Sequence, residues 1–237
     1  FIATANAIRH CGAEPVFADI EPHGFNIDPD QVERILEEDC EERDDGLFYK
    51  EIPRLAVGES PLTFLDSSSI KNRGRVAALL LVHQYGMPCD MGRLLEIAKR
   101  YRIPVVEDAA CAFGAWYYGK HAGTFGDTGC FSFHPRKSIT TGEGGMLTTQ
   151  SDSTDQLARS LRDHGASRTD LDRHTSKYGF LLAEYGLLGY NYRMTDLQAA
   201  IGSVQMDKAR TILESRQQQA RRYDQLLSSY DWILPPL

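Results

Sequence analysis

The stretch Arg75–His83, "RVAALLLVH", constrains the fold more than any other segment. It is too short to cross a bilayer and suits a β-strand buried on both faces. Asp90 then stands as an N-cap, and Leu94, Leu95, Ile97 and Ala98 repeat on one helical face, so a helix follows. "IPVVEDAA" from Ile103 is a second apolar strand. Strand, helix and strand at this spacing form a βαβ unit, whose strands lie parallel and whose crossover is right-handed. The fold class is therefore α/β.

The flanking segments extend that pattern. "ATANAIRHCG" places a helix before Gly12, and "PVFADI" (Pro15 to Ile20) reads as a short buried strand. Asp28 caps a further helix with Pro29 at its first position and Gln31 three residues after the cap, ahead of Val32, Ile35 and Leu36. Between Glu37 and Asp45 seven acids accompany one Arg, and periodicity is poor as far as Arg75, so residues 40–75 read as an inserted surface loop that includes Ser67–Ser69. "GCFSFH" and "GGMLTT" follow as strands, then a helix near Asp155–His164 and one long polar helix over about Thr195–Ser228. The organisation expected is a large domain over 1–194 and a helix over 195–237 leading toward a further domain. Phe1 is not a methionine and "WILPPL" closes the chain just after a helix, so both ends read as cuts through a longer protein.

Composition removes several function classes. A net charge of −7 offers no basic field for nucleic acid. No window approaches the length of a membrane span, and the residues from Phe1 do not show the charged start, apolar core and small-residue cleavage pattern of a signal peptide. Five cysteines at wide spacing, with no CxxC, fit a reducing cytoplasm better than a disulfide framework or a zinc site. The seven histidines never pair at i, i+4 or as HxH, so no metal site is expected, and no GxSxG elbow marks a hydrolase.

Two residues stand out chemically. Asp108 ends an apolar strand, the edge at which open α/β sheets bind ligands, while Glu107 beside it points to the other face. Lys137 lies between a strand end and the Gly-rich "GEGG", behind the rigid Pro135, so it projects from a fixed turn. A lysine so placed suits imine chemistry. Ser132, Thr140 and Thr141 add hydroxyls able to hold a phosphate, although each also suits a strand or turn.

"VVEDAACAFGAWYYGKHAGTFGDTGCFSFHPRKSITTGEGGMLTT", "LRDHGA" and "GYNYRMTDLQAAIGSVQ" resemble the DegT/StrS type of pyridoxal-phosphate (PLP) sugar aminotransferases, in the fold-type-I aspartate aminotransferase superfamily. The likeness extends over "FIATANAIRHCGAEPVFADIEPHGFNIDP" and "VHQYGMPCDM", hence nearly all but the insertion. It implies a three-layer sandwich with a mostly parallel sheet, the large domain of that fold, truncated at both ends. It implies that Lys137 binds the cofactor covalently and moves the proton, that Asp108 meets the pyridinium nitrogen, and that Ser132 holds the phosphate. Phe1 matches the aromatic stacked on the ring, and Asn191 an amide that reaches the phosphate of the neighbouring subunit's cofactor, in a homodimer. Cys111 stands where many members place Gln or His against the ring oxygen. The reaction implied is transfer of an amino group from an amino acid, L-glutamate by family habit, to a keto group of a nucleotide-linked sugar, for polysaccharide or glycosylated metabolites. The alternatives are a non-catalytic binding or regulatory protein on the same scaffold, with the acidic run as partner surface, and a PLP-dependent sugar dehydratase, a branch in which histidine replaces the lysine.

Overall fold

In the computed structural model, residues 1–55, 58, 60, 73–167 and 184–233 are described. They fall into two compact units that divide after Gly126.

The first unit is built on the βαβ element that the apolar runs predict. β3 (Leu79–Val82) and β4 (Val105–Asp108) pair in parallel, with Leu81 opposite Glu107 and Val82 opposite Asp108. Between them runs α4 (Met91–Tyr101), capped by Asp90 Oδ1, which accepts from the Arg93 amide at 3.2 Å. α4 buries Met91, Leu94, Ile97 and Ala98, and Leu94 alone contributes about 2 kcal/mol by leaving water. It ends at Arg102 in the left-handed region, before the second strand begins. The observed β3 is shorter than expected: at the start of the apolar run Arg75 bridges Phe48 and the Val76 amide donates to the Leu47 carbonyl at 2.9 Å, and the parallel pairing with β4 begins at Leu79.

α1 (Ile2–His10) is followed by Gly12 at φ +73, a stop that suits glycine. α2 (Pro29–Arg34) begins where expected, with the Asp28 carboxylate accepting from the Asp30 amide at 2.8 Å, and then widens into a π turn over Ile35–Asp39. Two expectations for this region are corrected. Among the described residues Pro15–Ile20 is not a buried strand: its ladder contact there is a bridge from Ile20 to Ile27, and Phe17 is 77% exposed. Apolar composition signals a preference for burial, but a strand also needs a neighbour to bond to. The insertion is not a loop outside the core either. β1 (Cys40–Arg43) and β2 (Gly46–Tyr49) form an antiparallel hairpin whose Cys40, Leu47, Phe48 and Tyr49 are buried, most of them in one cluster with Val32, Leu36, Leu81 and Leu94. A short helix, α3 (Ile52–Leu55), follows. The acids of the hairpin face water, while the apolar run Leu47–Tyr49 of β2 and Cys40 of β1 are buried. Ser67–Ser69 lie outside the described residues. A second small hairpin, β5 (Trp116–Tyr117) with β6 (Lys120–His121), completes this unit.

The second unit opens with β7 (Thr128–Ser132) and β8 (Gly145–Thr149), an antiparallel pair that leaves the lysine-bearing segment as its connection. α5 (Asp152–Arg162) starts at Ser151, whose hydroxyl accepts from the Thr154 amide at 3.2 Å. The expected single helix over Thr195–Ser228 is two. α6 (Asp196–Asp207) begins with a capping box between Thr195 and Gln198, and breaks at Lys208, where ψ falls to −5, before α7 (Ala209–Leu227). Among the described residues, no helix is long and apolar enough to cross a membrane.

Candidate active site

At the end of β4 the two acids separate as strand alternation requires. Glu107 is fully buried and Asp108 half-buried. Both Asp108 oxygens are engaged: Thr4 Oγ1 of α1 donates to Oδ2 at 2.7 Å, and the Ala110 amide donates to Oδ1 at 3.1 Å. Its carbonyl accepts from the His83 amide at 3.1 Å, tying it to the end of β3. The turn after it is closed by the Ala112 amide on the Ala109 carbonyl, with both alanines buried and Cys111 exposed. Gly86, at φ +89, lies so close that an added Cβ would stand 2.7 Å from the Cys111 carbonyl. The loops after β3 and β4 therefore pack backbone against backbone.

Glu107 holds this edge from behind. Its Oε2 accepts from the Gly123 amide at 2.7 Å and meets His83 Nε2 at 2.9 Å; its Oε1 accepts from the Phe125 and Gly126 amides, both at 2.6 Å. Because His83 Nδ1 accepts from the Cys89 amide at 3.1 Å, the ring proton sits on Nε2 and is donated to Glu107. Burial alone raises the Glu107 carboxyl, but the bonds from His83 and the Gly126 and Gly123 amides together outweigh it and hold the group below its ordinary range. Burial pushes the Cys89 thiol up to about 12, with Glu107 adding to the effect. This hub was missed by sequence reasoning, which sent Glu107 to the opposite face but gave it no partners there. The signal was available in the pairing of "VH" with "ED" across adjacent parallel strands.

In the second unit the lysine segment is tightly laced. The Lys137 amide donates to the His134 carbonyl at 2.9 Å and the Thr141 amide to Phe133 at 3.0 Å. Lys137 is half-buried and Ile139 is buried. α6 and α7 brace the turn: Gln198 Nε2 donates to the Glu143 carbonyl at 3.0 Å, Gln205 Oε1 accepts from the Thr140 amide at 3.3 Å, and the Arg216 guanidinium donates to the Lys137 carbonyl at 3.4 Å. The Thr140 and Thr141 hydroxyls donate to the carbonyls of Phe133 and Glu143, so both serve the turn. Ser132 Oγ accepts from the His134 amide at 3.3 Å, which leaves its own proton to donate.

Asn191 is exposed and held by its backbone, in a bridge to Asp163. Two glycines make that crossing possible. A Cβ on Gly165 would stand 1.9 Å from the Leu187 carbonyl, and one on Gly189 would stand 2.0 Å from the Gly165 nitrogen. Phe1, 88% exposed, caps the turn of α1 that carries Thr4. The structure thus brings Thr4, Asp108 and Cys111 to one edge of the first unit, and Ser132 and Lys137 to one connection of the second. Within the first unit a carboxylate oriented by two donors suits a ring nitrogen; within the second, an amine on a braced turn and a hydroxyl with a proton to give suit an aldehyde and a phosphate, the groups that PLP carries.

The chain matches the DegT/DnrJ/EryC1/StrS aminotransferase family over residues 1–42 and 63–236, a gap that falls within the insertion. It is 36% identical to GDP-perosamine synthase of Caulobacter vibrioides over 96% of this chain and 49% of that protein. It is 30% identical to the UDP-N-acetyl-3-dehydro-alpha-D-glucosamine 3-aminotransferase of Acidithiobacillus ferrooxidans, over 99% of this chain and 51% of that one. A solved structure, the PLP form of the sugar aminotransferase Spr1654 from Streptococcus pneumoniae, superposes with TM-score 0.70 at 25% identity, over 96% of this chain and 52% of that one. The chain spans about half the length of the curated relatives it matches.

Proposed function

Because the chain belongs to the DegT/DnrJ/EryC1/StrS aminotransferase family, a PLP-dependent family whose α/β fold it shares, we propose that it is the core of a transaminase. It moves an amino group from L-glutamate to a keto group of a nucleotide-linked sugar, for polysaccharide or glycosylated metabolites. The observation that carries this reading is Lys137 itself, half-buried on a turn that α6 and α7 brace at three points. A surface lysine has no need of such bracing, whereas a nucleophile and proton carrier gains from a fixed position.

PLP, when bound, supplies an electron sink for the pair released when a substrate loses its proton. Asp108 would hold the ring nitrogen and keep it protonated. Ser132 would donate to the phosphate, Phe1 would cover the ring and Cys111 would serve the ring oxygen. Lys137 would hold the cofactor, and its amine would carry the proton taken from the substrate carbon. Asn191 would serve the phosphate site of a partner subunit in a homodimer. The names of the two relatives, one linked to GDP and one to UDP, support a nucleotide-sugar acceptor. Five cysteines at wide spacing, with no CxxC, fit a cytoplasmic setting.

The test is amino transfer by the full-length protein loaded with PLP, from L-glutamate to GDP- or UDP-linked 3-keto and 4-keto sugars, read as 2-oxoglutarate formed. Wild type turns over on at least one acceptor and Lys137→Ala loses at least about 10³-fold. Turnover retained by Lys137→Ala would contradict the assignment.

A further inference from the structure

We propose that Thr4 is a positioning residue for Asp108, fixing the carboxylate in the orientation that the ring nitrogen of the cofactor requires; this rests on the reading above. Thr4 lies 104 positions from Asp108 in the chain, yet its hydroxyl donates to Oδ2 at 2.7 Å. The Ala110 amide donates to Oδ1 at 3.1 Å. A carboxylate at a strand end turns about two side-chain bonds, and one donor on each oxygen leaves it a single orientation. Bonds of this kind, from a hydroxyl to a charged oxygen, are short and strong.

The choice of threonine follows from the same geometry. Its β-branch restricts χ1 in a helix, so the hydroxyl is aimed before any ligand arrives. Thr4 stands one turn from Phe1 on α1, and the Thr4 amide donates to the Phe1 carbonyl at 3.2 Å. One helical turn therefore carries both the aromatic assigned to the ring face and the hydroxyl that orients the partner of the ring nitrogen. A cation that meets Asp108 finds a carboxylate with no torsional freedom left to lose.

The inference is tested by binding in the full-length protein, with PLP and with its deaza analogue, in which CH replaces the ring nitrogen. Thr4→Val is expected to weaken PLP about tenfold and to leave the analogue within about twofold of wild type. Thr4→Ser keeps PLP within about threefold. In an Asp108→Asn background Thr4→Val changes nothing further, since the two residues act as a unit. Equal weakening of PLP and the analogue by Thr4→Val would make Thr4 a structural part of α1 and overturn the inference. Wild-type binding of PLP by Thr4→Val would overturn it as well. Should Thr4→Val fail to fold, Thr4→Ala carries the same comparison. Failure of the reading beneath looks different: wild type itself binds PLP and the analogue alike, or binds neither, and the inference falls with it.

Discussion

The two units solve the problem of burial differently. In the first, one cluster joins α2, the β1–β2 hairpin, β3, α4 and β4, and the carboxylate at its rear edge is satisfied by four donors. In the second, α5, α6 and α7 bury no residue, and Leu188 and Leu197 are 95% and 80% exposed. Its apolar residues that are buried, Phe133, Ile139 and Ala166, lie outside those helices, and its turns carry hydrogen bonds to main chain. The difference teaches where each unit keeps its precision: the first carries Asp108 at the end of a strand fixed in a packed core and orients its carboxylate by two donors, the second carries Lys137 and Asn191 on bonded turns and glycine crossings.

The first way to break the comparison is Glu107→Gln. An amide in a site built for four donors leaves buried groups unpaired, and the expected loss is about 3 kcal/mol, read by thermal or urea unfolding. The sign of its pH dependence follows from the carboxyl being held below its ordinary value of 4.5. Its stabilisation is present above that value and is lost as pH falls through the lower, folded value. The gap in stability between wild type and Glu107→Gln is therefore constant near neutrality and closes in acid below about pH 4.5. A gap that widened in acid would mean that Glu107 is buried as the neutral acid.

A smaller effect belongs to the second unit. Gly165→Ala meets the Leu187 carbonyl and sits at φ +79, so the crossing must open, at an expected cost of about 1–3 kcal/mol confined to that unit. Hydrogen exchange then rises at Tyr190 and Tyr192, whose amides donate to Leu161 and Arg162, and stays unchanged in β3 and β4. Exchange that rose equally in β3 and β4 would show that the two units do not keep their precision separately.

The same contrast explains what the sequence made legible. The βαβ element, the Asp28 and Asp90 caps and the opposite directions of Glu107 and Asp108 follow from local rules, and the structure agrees with each. Pro15–Ile20 misled because, among the described residues, its apolar run meets a single bridge, Ile20 to Ile27, and no continuous ladder. The hairpin at Cys40–Tyr49 was hidden because its acids equal its apolar residues in number and three of the latter are consecutive, so no strand alternation marks it. Of the site, Asp108 and Lys137 stood out by position. Thr4 did not, because a hydroxyl in a helix is ordinary until the fold brings it to a carboxylate far along the chain. The bracing by Gln198, Gln205 and Arg216 is equally non-local. Phe1, Cys111 and Asn191 were assigned roles by family likeness and by no spacing rule, whereas Ser132 was also marked by its hydroxyl beside the lysine turn.

The central claim is that Lys137 holds the cofactor. The most direct measurement is to load the full-length protein with PLP, reduce it with borohydride, digest it and find by mass spectrometry which peptide carries the phosphopyridoxyl group. The account predicts one label, on Lys137 in "SFHPRK", that is absent when L-glutamate is added before reduction. A protein that takes up no label, or that carries it on another lysine, would contradict it.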